Sequence, residues 1–202
     1  PDTSSSIHSF NFLNPEAALG NFRQGALDAI YLTKALTERS VTFKLEDSTV
    51  GPSLDLPINP DKVMFMGHSQ GGLTGSIALP WIGDDIQAAV LSAAGGGLYK
   101  TLIERKDPAD LRVLIEGILS FDENEILTEL HPVTGLIQHI VEPTDPINYA
   151  PYWFKNEGYW SQKPVPVLIT SGQYDAMTPY STAESLAAAA QIEHALVSRP
   201  LS

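Results

Sequence analysis

The sequence predicts an α/β protein: a mostly parallel sheet with flanking helices, interrupted by an inserted helical cap. Three observations carry the prediction. Short apolar runs stand at Lys62-Val63-Met64-Phe65-Met66, at Ala88-Ala89-Val90-Leu91-Ser92-Ala93 and at Val165-Pro166-Val167-Leu168-Ile169-Thr170. Each has strand length without polar alternation, as a buried parallel strand requires. Each run is followed by glycine and then by a helical pattern, which is the mark of βα units. Finally, about seventy residues separate the second run from the third, too many for a simple crossover. A chain of 202 residues that is 43% hydrophobic and 18% charged can bury one core.

The elements follow in order. Ile7 to Leu13 is apolar-rich and ends at Asn14-Pro15, so a strand and an ordered loop both fit. Gly20 to Leu36 has helical spacing, with Phe22, Ala26, Ala29, Ile30 and Leu36 near one face. Ser48 to Pro60 is a polar connection carrying the turn pairs Gly51-Pro52 and Asn59-Pro60. The first apolar run passes through Gly67-His68-Ser69-Gln70-Gly71-Gly72 into a helix over Leu73 to Leu79. The second run ends at Gly95-Gly96-Gly97. Asp107 to Val141 is helical in pattern, with Leu111, Leu114, Ile115, Ile118 and Leu119 on one face. Tyr149, Tyr152, Trp153, Phe154, Tyr159 and Trp160 then crowd a proline-bearing segment. The last helix covers Ser181 to Ala190, where Ser181 and Glu184 have capping-box spacing. The expected division is a core of residues 1–97 and 161–202 around a cap of residues 98–160.

Composition narrows the function. Lys and Arg number 12 against 24 Asp and Glu, a net charge of −12. That argues against nucleic-acid binding and disfavours anionic membrane surfaces. No apolar run reaches the length of about eighteen residues that a membrane-spanning helix needs. The absence of cysteine excludes disulfides, cysteine catalysis and cysteine zinc sites. His131 and His139 are too loosely spaced for a metal pair, and Asp122-Glu123-Asn124-Glu125 lacks the glycine of a calcium loop. Gly95-Gly96-Gly97-Leu98-Tyr99-Lys100-Thr101 has tyrosine where a phosphate loop has glycine before lysine. Neither a cofactor nor a metal is therefore expected. The opening Pro1-Asp2-Thr3-Ser4-Ser5-Ser6 lacks a signal pattern and reads as a processed or cut end.

Gly67-His68-Ser69-Gln70-Gly71 fits G-x-S-x-G. A serine on a sharp strand-to-helix turn is forced into a strained backbone, and small residues two before and two after let the chains approach. Its hydroxyl then projects at the carboxyl end of the strand, where open α/β sheets place their ligands. The backbone N–H of Gln70, at the start of the helix, is placed to stabilise an oxyanion. Such a serine needs a base, and the base an orienting acid, in the chain order serine, acid, histidine. Asp175 lies just after the third strand, before the last helix. It reads as the triad acid, or otherwise as a turn or cap aspartate.

The histidines are His8, His68, His131, His139 and His194. His8 precedes the serine. His68 adjoins it, and neighbouring side chains on such a turn diverge, so it packs or lines the pocket. His131 and His139 fall in the insertion. Only His194 follows Asp175, making it the one triad candidate in the chain. No strand separates it from the last helix, so the expectation favours a triad histidine beyond Ser202.

Asn59-Pro60-Asp61-Lys62-Val63 leading into Gly67-His68-Ser69-Gln70-Gly71-Gly72, and Gly172-Gln173-Tyr174-Asp175 leading into Thr178-Pro179, resemble the α/β-hydrolase superfamily. Asn11-Phe12-Leu13-Asn14-Pro15 with Asn21-Phe22-Arg23-Gln24-Gly25 is similar to its bacterial lipase- or esterase-like members. The resemblance implies carboxylic-ester hydrolysis through an acyl-enzyme on Ser69, with Asp175 as acid and residues 98–160 as lid or cap. The family has further strands and an oxyanion loop before Gly20, and a last strand with its histidine. The chain is thus expected to be an incomplete hydrolase core, trimmed at both ends. The expected substrate is a small ester with an apolar acyl or aryl group. The alternative is an inactive hydrolase-fold protein or fragment that binds an apolar ligand or partner. Compartment is left open, a secreted or periplasmic bacterial one being compatible.

Overall fold

A computed structural model describes residues 14–39, 41–45, 54–154 and 162–193. Three parallel strands form its centre: β3 (Phe65–His68), β4 (Ala89–Ser92) and β5 (Val167–Thr170), in the order β3-β4-β5. Before them, β1 (Thr42–Leu45) and β2 (Leu54–Pro57) pair antiparallel, with Thr42 opposite Pro57 and Leu45 opposite Leu54. The helices are α1 (Pro15–Glu38), α2 (Gln70–Ile82), α3 (Leu98–Glu104), α4 (Leu111–Ile118), α5 (Pro132–Val141) and α6 (Tyr180–Ala190). The described residues thus form a mixed α/β protein with a small open parallel sheet and flanking helices.

Helix α1 starts earlier than its apolar spacing suggests. Asn14 caps it by accepting the N–H of Ala17 at 3.2 Å, and Pro15 takes the first helical position, where a missing N–H costs nothing. Ala26 is buried, Ala29 and Ile30 pack on the core, and Thr33 hides its hydroxyl by donating to the Ala29 carbonyl at 2.8 Å.

The first predicted strand lies later than expected. Asn59 accepts the N–H of Asp61 and turns Pro60–Lys62 into a 3₁₀ helix, so pairing begins only at Phe65. The connection read from Ser48 to Pro60 contains β2. Ile7 to Leu13, Tyr159, Trp160 and residues 46–53 lie outside the described residues.

Right-handed crossovers place successive helices on one face of a parallel sheet when the strand order keeps its direction. Here β3-β4-β5 does so, and α1, α2 and α6 share one core with Ala89 and Leu91. The other face carries the row Met66-Val90-Leu168 and the row His68-Ser92-Thr170. On it Met66 is 73% exposed and Leu168 57%. The apolar runs predicted strands buried on both faces; among the described residues only one face is covered.

Pro80 sits inside α2 and supplies no N–H to the carbonyl of Ser76 one turn back. The indole N–H of Trp153 donates to that carbonyl at 3.0 Å instead. Trp153 is 1% exposed, so the central member of the aromatic segment is a core residue that completes a broken helix ladder.

The insertion is less continuous than the pattern over Asp107 to Val141 suggests. It holds α3, α4 and α5, with irregular chain from Ser120 to His131. Asp110 caps α4 through the N–H of Val113, and the Nδ1 of His131 caps α5 through the N–H of Val133. Of the apolar row on α4, Leu111 is buried whereas Leu114, Ile118 and Leu119 are exposed. Leu130, Leu136 and Ile140 are exposed as well.

Candidate active site

Ser69 joins β3 to α2 with φ 52° and ψ −117°, a conformation that L-residues rarely adopt. Two approaches hold it there. A Cβ at Gly67 would fall 2.2 Å from the Gly71 carbonyl oxygen, and one at Gly72 would fall 2.7 Å from the Ala94 methyl. The expectation put the second close approach at Gly71, yet a Cβ there meets nothing within 4 Å. The crowding belongs to Gly72, one residue further along. The Ser69 N–H donates to the Ser92 carbonyl at 2.9 Å, which ties the turn to the neighbouring strand.

Ser69 is half-buried, and its side chain makes no capping bond to α2. Gln70 opens α2, where the first N–H groups lack intrahelical acceptors. Its N–H points outward from the helix start with the positive end of the helix dipole behind it. A negative oxygen formed on a carbon bonded to Ser69 would therefore meet a donor with no competing acceptor inside the helix.

Asp175 stands in the loop between β5 and α6 and is half-buried. Its Oδ1 accepts the N–H groups of Met177 and Thr178, each at 2.8 Å. This is the geometry of a turn aspartate, and it also fixes the carboxylate in one orientation. Ser69 and Asp175 follow the carboxyl ends of β3 and β5, two strands apart in one sheet. Two strand spacings are about 10 Å, a gap that an imidazole bridging acid and hydroxyl would span.

His68 points onto the open face of the sheet, where its Nδ1 shares a hydrogen bond with the Ser92 hydroxyl at 3.2 Å. It is exposed, beside the turn that carries Ser69. His131 pairs with Glu125 at 3.1 Å in the insertion, and His139 is exposed there. His8 and His194 lie outside the described residues. The chain leaves α6 at Ala190, and a helix of 11 residues carries it about 16 Å from the Asp175 loop.

The first part of the insertion reaches this end of the sheet. The N–H groups of Lys106 and Asp107 donate to the Ala176 carbonyl, next to Asp175, at 2.9 and 3.2 Å. Ser181 donates to Glu104 at 2.6 Å and Lys100 to Ser185 at 3.0 Å, fastening α3 to α6. The capping box expected of Ser181 is therefore absent. The hydroxyl bonds Glu104 of α3 instead, and α6 starts after Pro179 without a side-chain cap.

Sequence reasoning missed two residues here. Ser92 holds both the Ser69 N–H and the His68 ring, although a serine closing an apolar run carries no distinguishing signal. Asp145 is fully buried and gathers donors from three segments, a pairing that only the fold brings about. Among the described residues no helix is long and apolar enough to cross a membrane, and no three His, Asp or Glu side chains cluster as metal ligands. No family model and no curated protein matches the chain.

Proposed function

We propose that the chain is a serine carboxylic-ester hydrolase of the α/β-hydrolase type, with Ser69 as its nucleophile. The observation that carries the reading is the backbone of Ser69. A non-glycine residue is held at positive φ between a parallel strand and a helix, with glycine at both crowded flanks. Strain of this kind persists where the surrounding structure over-determines it, and it clusters at reacting groups. The strand order, the acid loop two strands away and the cap between β4 and β5 agree with that fold.

In the proposed reaction the Ser69 hydroxyl attacks the ester carbonyl. The Gln70 N–H donates to the oxyanion, and the alcohol leaves as the acyl-enzyme forms. A histidine oriented by Asp175 takes the serine proton and returns it to the leaving alcohol; water then repeats the sequence to release the acid. The exposed Leu114, Ile118, Leu130, Leu136 and Ile140 of the cap support a substrate with an apolar acyl or aryl group. The same surface supports the second reading, a hydrolase-derived chain that binds an apolar ligand without cleaving it.

Hydrolysis of short p-nitrophenyl esters tests the proposal. Ser69→Ala should abolish the protein-dependent rate. Asp175→Asn should lower it by roughly 10³-fold or more, with the melting temperature unchanged because Oδ1 keeps both its donors. A Ser69→Ala chain with full esterase activity would overturn the reading.

A further inference from the structure

We infer that Asp145 is a positioning residue for the reaction at Ser69, fixing the loop against which the nucleophile turn packs. The inference rests on the hydrolase reading above. Asp145 is 0% exposed. A buried carboxylate is costly unless it is fully bonded, and this one is. Its Oδ1 accepts the N–H groups of Gly97 at 2.9 Å and Ile147 at 3.1 Å. Its Oδ2 accepts the N–H of Leu98 at 2.8 Å and the Gln138 amide at 2.9 Å. Gly97 and Leu98 stand where the chain enters the insertion and Asp145 follows its last α-helix, α5, so the carboxylate ties that helix's end to the entry strand's loop.

The pinned loop is itself under strain. Ala93 has φ 48° and Gly97 φ 69°. A left-handed alanine relaxes unless its neighbours forbid it. The Ala93 N–H is held by Thr170 at 2.8 Å, the Gly96 N–H by Thr182 at 2.9 Å, and Gly97 by Asp145. This loop backs the reacting serine. The Ser92 carbonyl accepts the Ser69 N–H, and the Ala94 methyl presses where Gly72 has no side chain. A shift of Gly97 therefore passes through Ala94 and Ser92 to the Ser69 backbone and the first turn of α2. Asp145 touches none of the reacting atoms; it acts through the loop.

Asp145→Asn is the test. However the amide is turned, its NH₂ replaces an oxygen that now accepts two donors. The rate constant for labelling Ser69 with a fluorophosphonate should fall about 10- to 100-fold, the scale on which a misplacement of about 1 Å acts. Circular dichroism at the assay temperature should be unchanged and KM for an apolar ester should stay within about twofold. Hydrogen exchange at Gly97 and Leu98 should quicken by about tenfold or more. A folded Asp145→Asn chain labelled at the wild-type rate overturns the positioning role and leaves the hydrolase reading standing. A wild-type chain unlabelled at Ser69 overturns the hydrolase reading, and the positioning role with it. Should Asp145→Asn not fold, Gln138→Leu serves instead. It removes one donor to Asp145 and the acceptor for the Tyr99 N–H while keeping the carboxylate. A two- to fivefold loss of labelling is expected, on the same positional argument. Wild-type labelling in that variant overturns the role.

Discussion

Replacing Trp153 by phenylalanine should destabilise the protein through one identifiable atom. The indole N–H satisfies the Ser76 carbonyl that Pro80 leaves without a helical donor. Ser76 is 0% exposed, so no water replaces the lost bond. An orphaned buried acceptor costs about 1–3 kcal/mol, and the smaller ring adds about 1 kcal/mol of lost burial. For a chain of this size the total of about 2–4 kcal/mol lowers Tm by roughly 5–15 °C. Pro80→Ala restores an N–H at position 80, which can reach the Ser76 carbonyl as in any helix. In that background Trp153→Phe should therefore cost about 1–3 kcal/mol less. Urea unfolding of the four proteins closes the double-mutant cycle. Equal losses in both backgrounds would refute the claim that Trp153 stands in for the proline's missing donor.

Two further outcomes follow from the same geometry. Gly67→Ala should destabilise by more than about 2 kcal/mol, because its Cβ meets backbone at 2.2 Å, whereas Gly71→Ala should be neutral or stabilising by up to about 1 kcal/mol. Thermal melts of the two variants check the contrast, and equal melting temperatures would contradict it. The Asp110 carboxyl is held below the usual carboxylate range, first by its hydrogen bond to the Lys106 ammonium at 2.6 Å and also by the Val113 N–H. A depressed carboxylate pKa adds stability above the unfolded value of about 3.9, and that stability is lost as pH falls through the folded value. Asp110→Asn should therefore lower Tm at pH 7, and the difference should shrink as the pH falls below the unfolded value of about 3.9, as melts across that range will show.

What the sequence revealed was local. The turn at Ser69 is specified by glycines within three residues of it, so its position was readable without knowing the fold. The three parallel strands were legible because each is a short apolar run closed by glycine. Asn14-Pro15 was visible too, but it can end one element or begin another, and only the burial of Ala26 and Thr33 further along decides for the helix. The exposed face of β3 and β5 could not be foreseen, since an apolar run looks the same whether one face or both are covered. Trp153 and Ser76 are 77 residues apart, and Asp145 and Gly97 are 48 apart. No periodicity or spacing encodes such pairs; they arise when a buried polar atom takes the nearest partner the fold supplies. Asp175 is singled out only by its place after a strand, and the turn it forms would be the same with or without a catalytic duty.

The most direct test of Ser69 as the nucleophile is covalent. The protein is incubated with a fluorophosphonate probe, digested, and the adduct located by tandem mass spectrometry. Stoichiometric modification at Ser69, lost in Ser69→Ala and slowed in Asp175→Asn, is the predicted result. No adduct at Ser69, or labelling that is unchanged by Ser69→Ala, would contradict the account.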